Sequence, residues 1–227
     1  EILTFTIIIF TMHLKTNLSK KILSWYDNNK RPLPWRVGKK SSKKLYYRLL
    51  SEFMLQQTQV KTVLPFFNKF IEEFTTLKEL SCCSEKKILK LWEGLGYYRR
   101  ARNLLASAKI LVRKKNSKLP LKIDEIKKLP GVGDYTANAL LGLVHEQPTI
   151  ALDGNVKRVF SRILNKSIHN LDFNKLIEKN KKKLFSTKRN SDLVEALMEF
   201  GALICKPKEP KCSICNLNKI CKYFNSS

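Results

Sequence analysis

Two carboxylates in this 227-residue sequence stand where they could share a bond-breaking reaction. Glu52 falls in a helical pattern running from Leu45 to Gln57, on the same turn as Leu49 and Phe53, so the chain carries it toward the interior. Burial disfavours the charged form of a carboxylate and raises its pKa, which makes such a group a general acid near neutral pH; the alternative is a glutamate that snorkels to water or pairs with an arginine. Asp153 ends the apolar run Ile150-Ala151-Leu152 and precedes Gly154-Asn155-Val156, where the next helix starts. There it either caps the helix or points into a cleft, and the helix N-terminus favours its ionised form. An acid held neutral and an anion held charged divide the labour of cleaving a bond to a sugar anomeric carbon. One protonates the leaving group while the other stabilises the oxocarbenium ion.

Three further stretches carry chemistry. Leu129-Pro130-Gly131-Val132-Gly133-Asp134-Tyr135-Thr136-Ala137 reads as a tight glycine turn opening into an amphipathic helix. It is either a plain connector or a seat for phosphate, since glycines allow close backbone approach and the helix start presents unpaired N–H groups. Arg31-Pro32-Leu33-Pro34-Trp35-Arg36 is a proline-stiffened loop, either a base-stacking surface or a loop anchored in the core by its tryptophan. Cys205, Cys212, Cys215 and Cys221 close the sequence with spacings of six, two and five residues. So tight a group reads as metal ligands rather than disulfides, and the spacing leaves structural zinc and an iron–sulfur cluster both open. Cys82 and Cys83, in an apolar helical context, read as small buried residues.

The elements that must position these residues are helices throughout. Apolar spacing predicts helices at roughly 18–29, 45–57, 59–73, 84–92, 98–115, 134–145, 154–164, 172–186 and 190–204, with no alternating strands. A second glycine turn, Gly94-Leu95-Gly96-Tyr97-Tyr98, leads into Arg99, Arg100 and Arg102. Lys39–Lys44 reads as a basic linker and Lys181-Lys182-Lys183 as a solvated face. The expected fold is all-α, two helical lobes with a cleft between them. Lys and Arg total 44 against 19 Asp and Glu, a net charge of +25 that points to a polyanionic partner, nucleic acid first, although a lysine-rich genome composition supplies part of the excess. The apolar run Ile2–Phe10 is too short to span a bilayer and lacks basic residues ahead of it. Residues 1–11, ahead of Met12, read as an extension outside the fold, and a cytoplasmic, membrane-free location follows by default.

Together these motifs resemble the endonuclease III superfamily of DNA glycosylases, with helix–hairpin–helix, catalytic aspartate and cysteine-rich iron–sulfur loop in the same order from about Leu18 to Cys221. Within it the chain is most similar to adenine DNA glycosylases of the MutY type, through Leu33-Pro34-Trp35-Arg36, Ser51-Glu52-Phe53-Met54-Leu55-Gln56-Gln57-Thr58-Gln59-Val60 and Trp92-Glu93-Gly94-Leu95-Gly96-Tyr97-Tyr98-Arg99-Arg100-Ala101-Arg102-Asn103-Leu104. Tyr135 stands where lyase members carry the lysine that forms a Schiff base, so the resemblance implies a monofunctional glycosylase. It further implies that Glu52 protonates adenine N7 and helps activate water, that Asp153 stabilises the anomeric carbon, and that Tyr135 and Asn155 position these groups. Gln57 resembles the residue that wedges into the duplex as adenine flips out. Arg31, Leu33, Trp35, Arg36 and Glu195 match the adenine pocket, Gly131, Val132 and Gly133 a backbone-phosphate seat, and Cys205, Cys212, Cys215 and Cys221 the ligands of a [4Fe–4S] cluster.

The implied organisation is a catalytic region over 12–204 made of two interleaved lobes, a cluster loop over 205–221 and a tail over 222–227. The implied partner is double-stranded DNA carrying adenine mispaired with guanine or 8-oxoguanine, met by a monomer in a bacterial cytoplasm. Asp134 departs from the basic residue common at its position and is expected to cap its helix. Relatives continue into a C-terminal domain that reads 8-oxoguanine, whereas this sequence ends six residues after Cys221, which points to a truncated or catalytic-domain-only form. Three other functions compete: removal of thymine opposite guanine, a pyrimidine-damage glycosylase with lyase activity, and a silent DNA-binding iron–sulfur module. Gln56-Gln57-Thr58-Gln59 with Glu195, Tyr135, and the paired Glu52 and Asp153 argue against them in turn.

Overall fold

The structure is a computed structural model describing residues 18–169, 173–181 and 187–226; residues 1–11, Lys182 and Lys183 lie outside these. All regular structure among the described residues is helical, without a strand. Two compact units share it: Pro32–His145 forms one, and the described residues up to Arg31 together with those from Glu146 onward form the other.

The Pro32–His145 unit is built around α2 (Lys44–Leu55), in which ten of the twelve residues are buried. A helix buried on nearly every side has to be surrounded, and α2 packs against α3 (Val60–Glu73), α6 (Arg99–Lys115) and α8 (Asp134–His145). Two short helices, α4 (Leu77–Cys82) and α5 (Glu85–Trp92), lie on α6 and begin with serine or threonine caps: Thr76 accepts from Glu79 N and Ser84 from Lys87 N. The core is aromatic-rich, with Phe67 meeting Trp35 edge-on at 5.1 Å and Tyr47 at 5.4 Å, and Phe70 meeting Trp92 at 5.7 Å. A single turn, α7 (Ile123–Ile126), precedes the glycine turn and α8.

In the other unit, α1 (Leu18–Asn29) and α9 (Gly154–Leu164) both pack on α11 (Asn190–Leu203), with Trp25 edge-on to Phe200 at 5.0 Å. Asn28 and Asn29 terminate α1 by donating side-chain N–H groups back to Ser24 O and Trp25 O. α10 (Phe173–Lys179) is shorter than the stretch predicted at 172–186, whose last five residues are outside the described ones. A 3-10 turn (Asn218–Ile220) and α12 (Lys222–Asn225) follow, α12 against α9.

Apart from the stretch at 172–186, the predicted helices stand with their ends shifted by a residue or two, while α4, α7 and α12 have no counterpart among them because four to six residues hold too little periodicity to register. Lys44 is buried in α2 rather than part of a linker, and Cys82 is exposed at the end of α4 while Cys83 alone is buried. Removing the ring at the centre of the aromatic cluster, Phe67→Ala, should cost about 3–5 kcal/mol of unfolding free energy by urea denaturation. A loss below about 1 kcal/mol would show that the site collapses around the void.

Candidate active site and cysteine pocket

Asp153 is the N-cap of α9, its Oδ1 accepting from Val156 N at 2.7 Å and its Oδ2 from Asn155 Nδ2 at 3.0 Å. Extended backbone at the cap, φ −77° and ψ 179°, is what lets the side chain turn back onto the helix. Burial nevertheless pushes the carboxyl above its ordinary range, against the lowering effect of the Val156 and Asn155 hydrogen bonds and of Arg158. Burial thus opposes the helix terminus, the one influence on this carboxyl that the sequence shows. Asn155 is held in turn by Arg158, whose Nη2 donates to Asn155 Oδ1 at 2.8 Å and to Gly201 O at 2.9 Å, while its Nε donates to Cys205 O at 2.7 Å. Gly201 has to be glycine, because a Cβ there would lie 2.7 Å from Asn155 Cβ and 2.9 Å from its carbonyl oxygen.

One turn further along α9, Arg162 faces the terminal cysteines. Its Nη1 donates to Lys206 O at 2.6 Å and lies 3.5 Å from Cys205 Sγ, its Nη2 donates to Pro207 O at 2.9 Å, and its guanidinium stacks 5.2 Å from the Tyr223 ring. Cys205, Cys212, Cys215 and Cys221 all line one pocket with Arg162. None is in a disulfide. Burial pushes the Cys215 thiol up to about 11 and Cys221 upward as well, with the other cysteines adding to the rise in both. Among the described residues no group of three or more His, Cys, Asp or Glu stands as a ready metal-ion site. Asn216 ties the loop to α1 by donating to Lys21 O at 2.6 Å.

Glu195 and Glu199, four apart on α11, are both buried. Tyr26 Oη donates to Glu195 Oε2 at 2.9 Å, and Glu199 takes a fork from Arg31, Nε to Oε1 and Nη2 to Oε2 at 2.7 Å each, plus Arg31 N at 3.0 Å. Arg31 and Glu195 therefore sit in the same polar layer of one unit. Leu33, Trp35 and Arg36 belong to the other, where Trp35 is a core anchor against Phe67 and not a stacking surface, and Arg36 N closes a turn on Leu33 O at 2.9 Å.

In that unit Glu52 is 5% exposed on the face of α2 shared with Leu49 and Phe53, so it does not snorkel. Gln57 is exposed with φ +56°, in the left-handed region that a glutamine seldom adopts. Its neighbour Gln56 donates to Gly131 O at 3.2 Å, joining this turn to the glycine turn. Gly131 has φ +77°, and a Cβ would meet Asn103 Nδ2 at 2.6 Å, so both conformation and space demand glycine. Ser107 Oγ donates to Pro130 O at 3.0 Å from below, Val132 is buried, and Gly133 O accepts the first helical bond, from Ala137 N at 2.9 Å. The cap position is thus Gly133, and the expected cap Asp134 instead pairs with Lys127 at 2.5 Å. Tyr135 is half-buried in the first turn of α8.

A family profile described as HhH-GPD superfamily base excision DNA repair protein matches residues 50–186, more than half of the chain. The chain belongs to that superfamily. Adenine DNA glycosylases are similar to it: that of Buchnera aphidicola subsp. Baizongia pistaciae is 43% identical over 90% of this chain and 58% of its own, and that of Schizosaccharomyces pombe 38% identical over 90% and 48%. The human one is 36% identical over 88% and 38%. The chain spans about half the length of these relatives. Among solved structures, a thermostable thymine-DNA glycosylase superposes with a TM-score of 0.83 at 27% identity, covering 96% of this chain and 99% of that one. An endonuclease III–DNA complex shares the fold at a TM-score of 0.70 and 22% identity, covering 92% and 94%.

In this HhH-GPD chain the structure brings together Asp153 with Asn155, Gln57 with the Gly131 turn through Gln56, and the four cysteines around one pocket. Glu52 and Asp153 belong to different units. Arg158, Arg162, Glu199 and Asn103 are site-shaping residues that sequence reasoning missed. The signals were present: Arg158 and Arg162 lie three and seven residues after Asn155, on one face of α9, and Glu195 and Glu199 are four apart in the otherwise apolar stretch from Leu193 to Leu203. A raised Asp153 pKa means that the folded state binds this proton more tightly than the unfolded chain. Its contribution therefore favours folding below the model-compound value of 3.8 and is lost as pH rises through the folded-state pKa. Asparagine caps as well as aspartate, so Asp153→Asn should melt at or above the wild-type temperature at neutral pH, with the advantage shrinking on acidification. A variant that melts well below wild type at neutral pH would contradict this assignment.

Proposed function

We propose that this chain carries the catalytic region of a monofunctional adenine DNA glycosylase that hydrolyses the N-glycosidic bond of adenine mispaired with guanine or 8-oxoguanine in duplex DNA. The observation that carries the choice of base is the similarity to adenine DNA glycosylases at 35–43% identity over about nine-tenths of the chain, above the 27% shared with the thymine-DNA glycosylase. Glu52 delivers a proton to adenine N7 as the bond from N9 to C1′ breaks and its electrons pass to the leaving base. Asp153 stabilises the positive charge left on the sugar, which requires its carboxylate form. Glu52, now ionised, takes a proton from the water that adds to C1′, leaving free adenine and an abasic site. Asn155 and Tyr135 orient these groups. The resemblance supports a role in adenine recognition for Arg31 and Glu195, preset by Glu199 and Tyr26 in one unit, and for Leu33, Trp35 and Arg36 in the other. Gln57 enters the stack as the base leaves it, and the Gly131-Val132-Gly133 turn takes a backbone phosphate at the start of α8.

We also propose that Cys205, Cys212, Cys215 and Cys221 hold a [4Fe–4S] cluster, supported by four thiols lining one pocket beside Arg162, whose charge suits an anionic thiolate cluster. When bound, the cluster supplies a cross-link that fixes the basic loop following α11. Iron and acid-labile sulfide with visible absorbance are expected in protein purified without air; stoichiometric zinc without iron would refute the cluster. The region 12–204 would act as a monomer, with 205–221 as cluster loop and 222–227 as tail.

A duplex with adenine opposite guanine or 8-oxoguanine should lose adenine and remain intact until alkali is added, because Tyr135 cannot form the Schiff base that leads to strand cleavage. The second reading, thymine removal from G·T, is favoured by the 0.83 superposition on a thymine-DNA glycosylase. Equal or faster thymine release would replace the adenine assignment with it. Adenine release should fall on the acid side at a higher pH than an ordinary aspartate would set, since Asp153 is protonated below its raised pKa.

A further inference from the structure

Arg100 is buried, 6% exposed, although it follows an exposed Arg99 in a basic helix start. No carboxylate faces it among the described residues, and burial pushes its pKa down. What surrounds it is backbone. Nη1 donates to Met54 O at 2.7 Å, Phe53 O at 3.4 Å, Gln56 O, and Thr58 Oγ1 at 2.9 Å. Nη2 donates to Leu95 O at 3.2 Å and Gly96 O at 3.1 Å. The guanidinium lies 5.5 Å from the Trp92 ring and 5.3 Å from the Tyr97 ring, and Nε has no partner.

A buried cation without an anion is costly, and an apolar side chain would fill such a space more cheaply if filling were all that was needed. The acceptors show what the charge accomplishes. Gln56 and Thr58 are the two residues flanking Gln57, and the same nitrogen grips both, so the left-handed backbone at Gln57 is clamped from either side. The other nitrogen anchors this clamp to the Leu95–Gly96 turn, which Trp92 Nε1 also fixes by donating to Gly96 O at 3.0 Å. Thr58 Oγ1 further donates to Gln56 O at 3.3 Å, closing the turn beneath the exposed Gln57 side chain.

We propose that Arg100 is a positioning residue for base extrusion, holding Gln57 in the conformation from which it enters the base stack. This rests on the glycosylase reading above. A lysine retains the charge but loses the planar fork that reaches both turns. The test uses the full chain and two duplexes, one with adenine paired opposite 8-oxoguanine and one with adenine in a single-nucleotide bulge, where much of the unstacking has already occurred. In single-turnover assays Arg100→Lys should lose on the order of 100-fold on the paired adenine, the size of effect a misplaced group causes. On the bulged adenine the loss should stay within roughly threefold, because extrusion is no longer the step that needs Gln57. Thr58→Val, which removes one acceptor of Arg100 together with the hydroxyl's own bond to Gln56 O and leaves the other acceptors, should shift the two rates in the same unequal way but less, and it decides the matter if Arg100→Lys does not fold by circular dichroism. Adding Gln57→Ala to Arg100→Lys should cost little more than either alone. Equal losses on both duplexes, or additive effects of the two substitutions, would overturn the positioning role while leaving the function intact. A wild-type chain that releases adenine from neither duplex would overturn both.

Discussion

A carboxylate largely taken out of water must be held by donors, and the Asp153 side chain sets the terms on which α9 and its surroundings are built. Hydrogen bonds to a charged group are worth about 1.5–3 kcal/mol each, while the desolvation of an ion costs several. Hydrogen bonds from Val156 N and Asn155, together with the Arg158 charge, lower the Asp153 pKa by less than burial raises it. The requirement propagates outward. Asn155 can donate to Asp153 only if its amide is oriented, which Arg158 does by donating to its oxygen. Arg158 in turn needs acceptors, and finds them in Gly201 O on α11 and Cys205 O at the head of the cysteine loop. The helix pair is close enough for this only because position 201 has no side chain.

The Pro32–His145 unit solves a similar problem with the opposite sign. There a buried guanidinium takes its acceptors from main-chain carbonyls, and so ties together the end of α2, the residues flanking Gln57, and the Leu95–Gly96 turn. Gln56 Nε2 extends the arrangement to Gly131 O, and Asn103 fills the space that a side chain at 131 would occupy. The buried Glu52 is carried by the same helix whose last carbonyls Arg100 holds. Each unit thus organises its candidate site residues around an interior charge.

Much of this was legible in the sequence. Long helices declare themselves by periodicity, and the glycine turn, the cap at Asp153 and the cysteine group by residue type and spacing. What was not legible shares one cause. Arg158, Glu199 and Arg100 act through partners 43, 168 and about 45 residues away in the chain, and a sequence read locally classifies each as surface charge. The upward pull of burial on Asp153 was illegible for the same reason, since burial is a property of the folded neighbourhood whereas a helix terminus can be read from adjacent residues. Trp35 was left between surface and core by its loop, and Phe67 decided it.

The proposed excision of one base sets a requirement that a chain this basic cannot meet by charge alone. The chain has only 19 acidic residues against 44 basic ones, and the buried acids Glu52, Glu195 and Glu199 are matched in number by the buried bases Lys44, Arg48 and Arg100. Other acids pair locally, Asp134 with Lys127 and Asp27 with Arg189, which leaves the basic excess on exposed side chains. Exposed positive charge attracts any polyanion and falls away with salt. Discrimination has to come from groups whose geometry is fixed before the ligand arrives. On the function proposed above, those would be the interior ones: a glutamate on a buried helix, an aspartate held at a cap, and arginines forked onto Glu199 and onto the carbonyls of two turns.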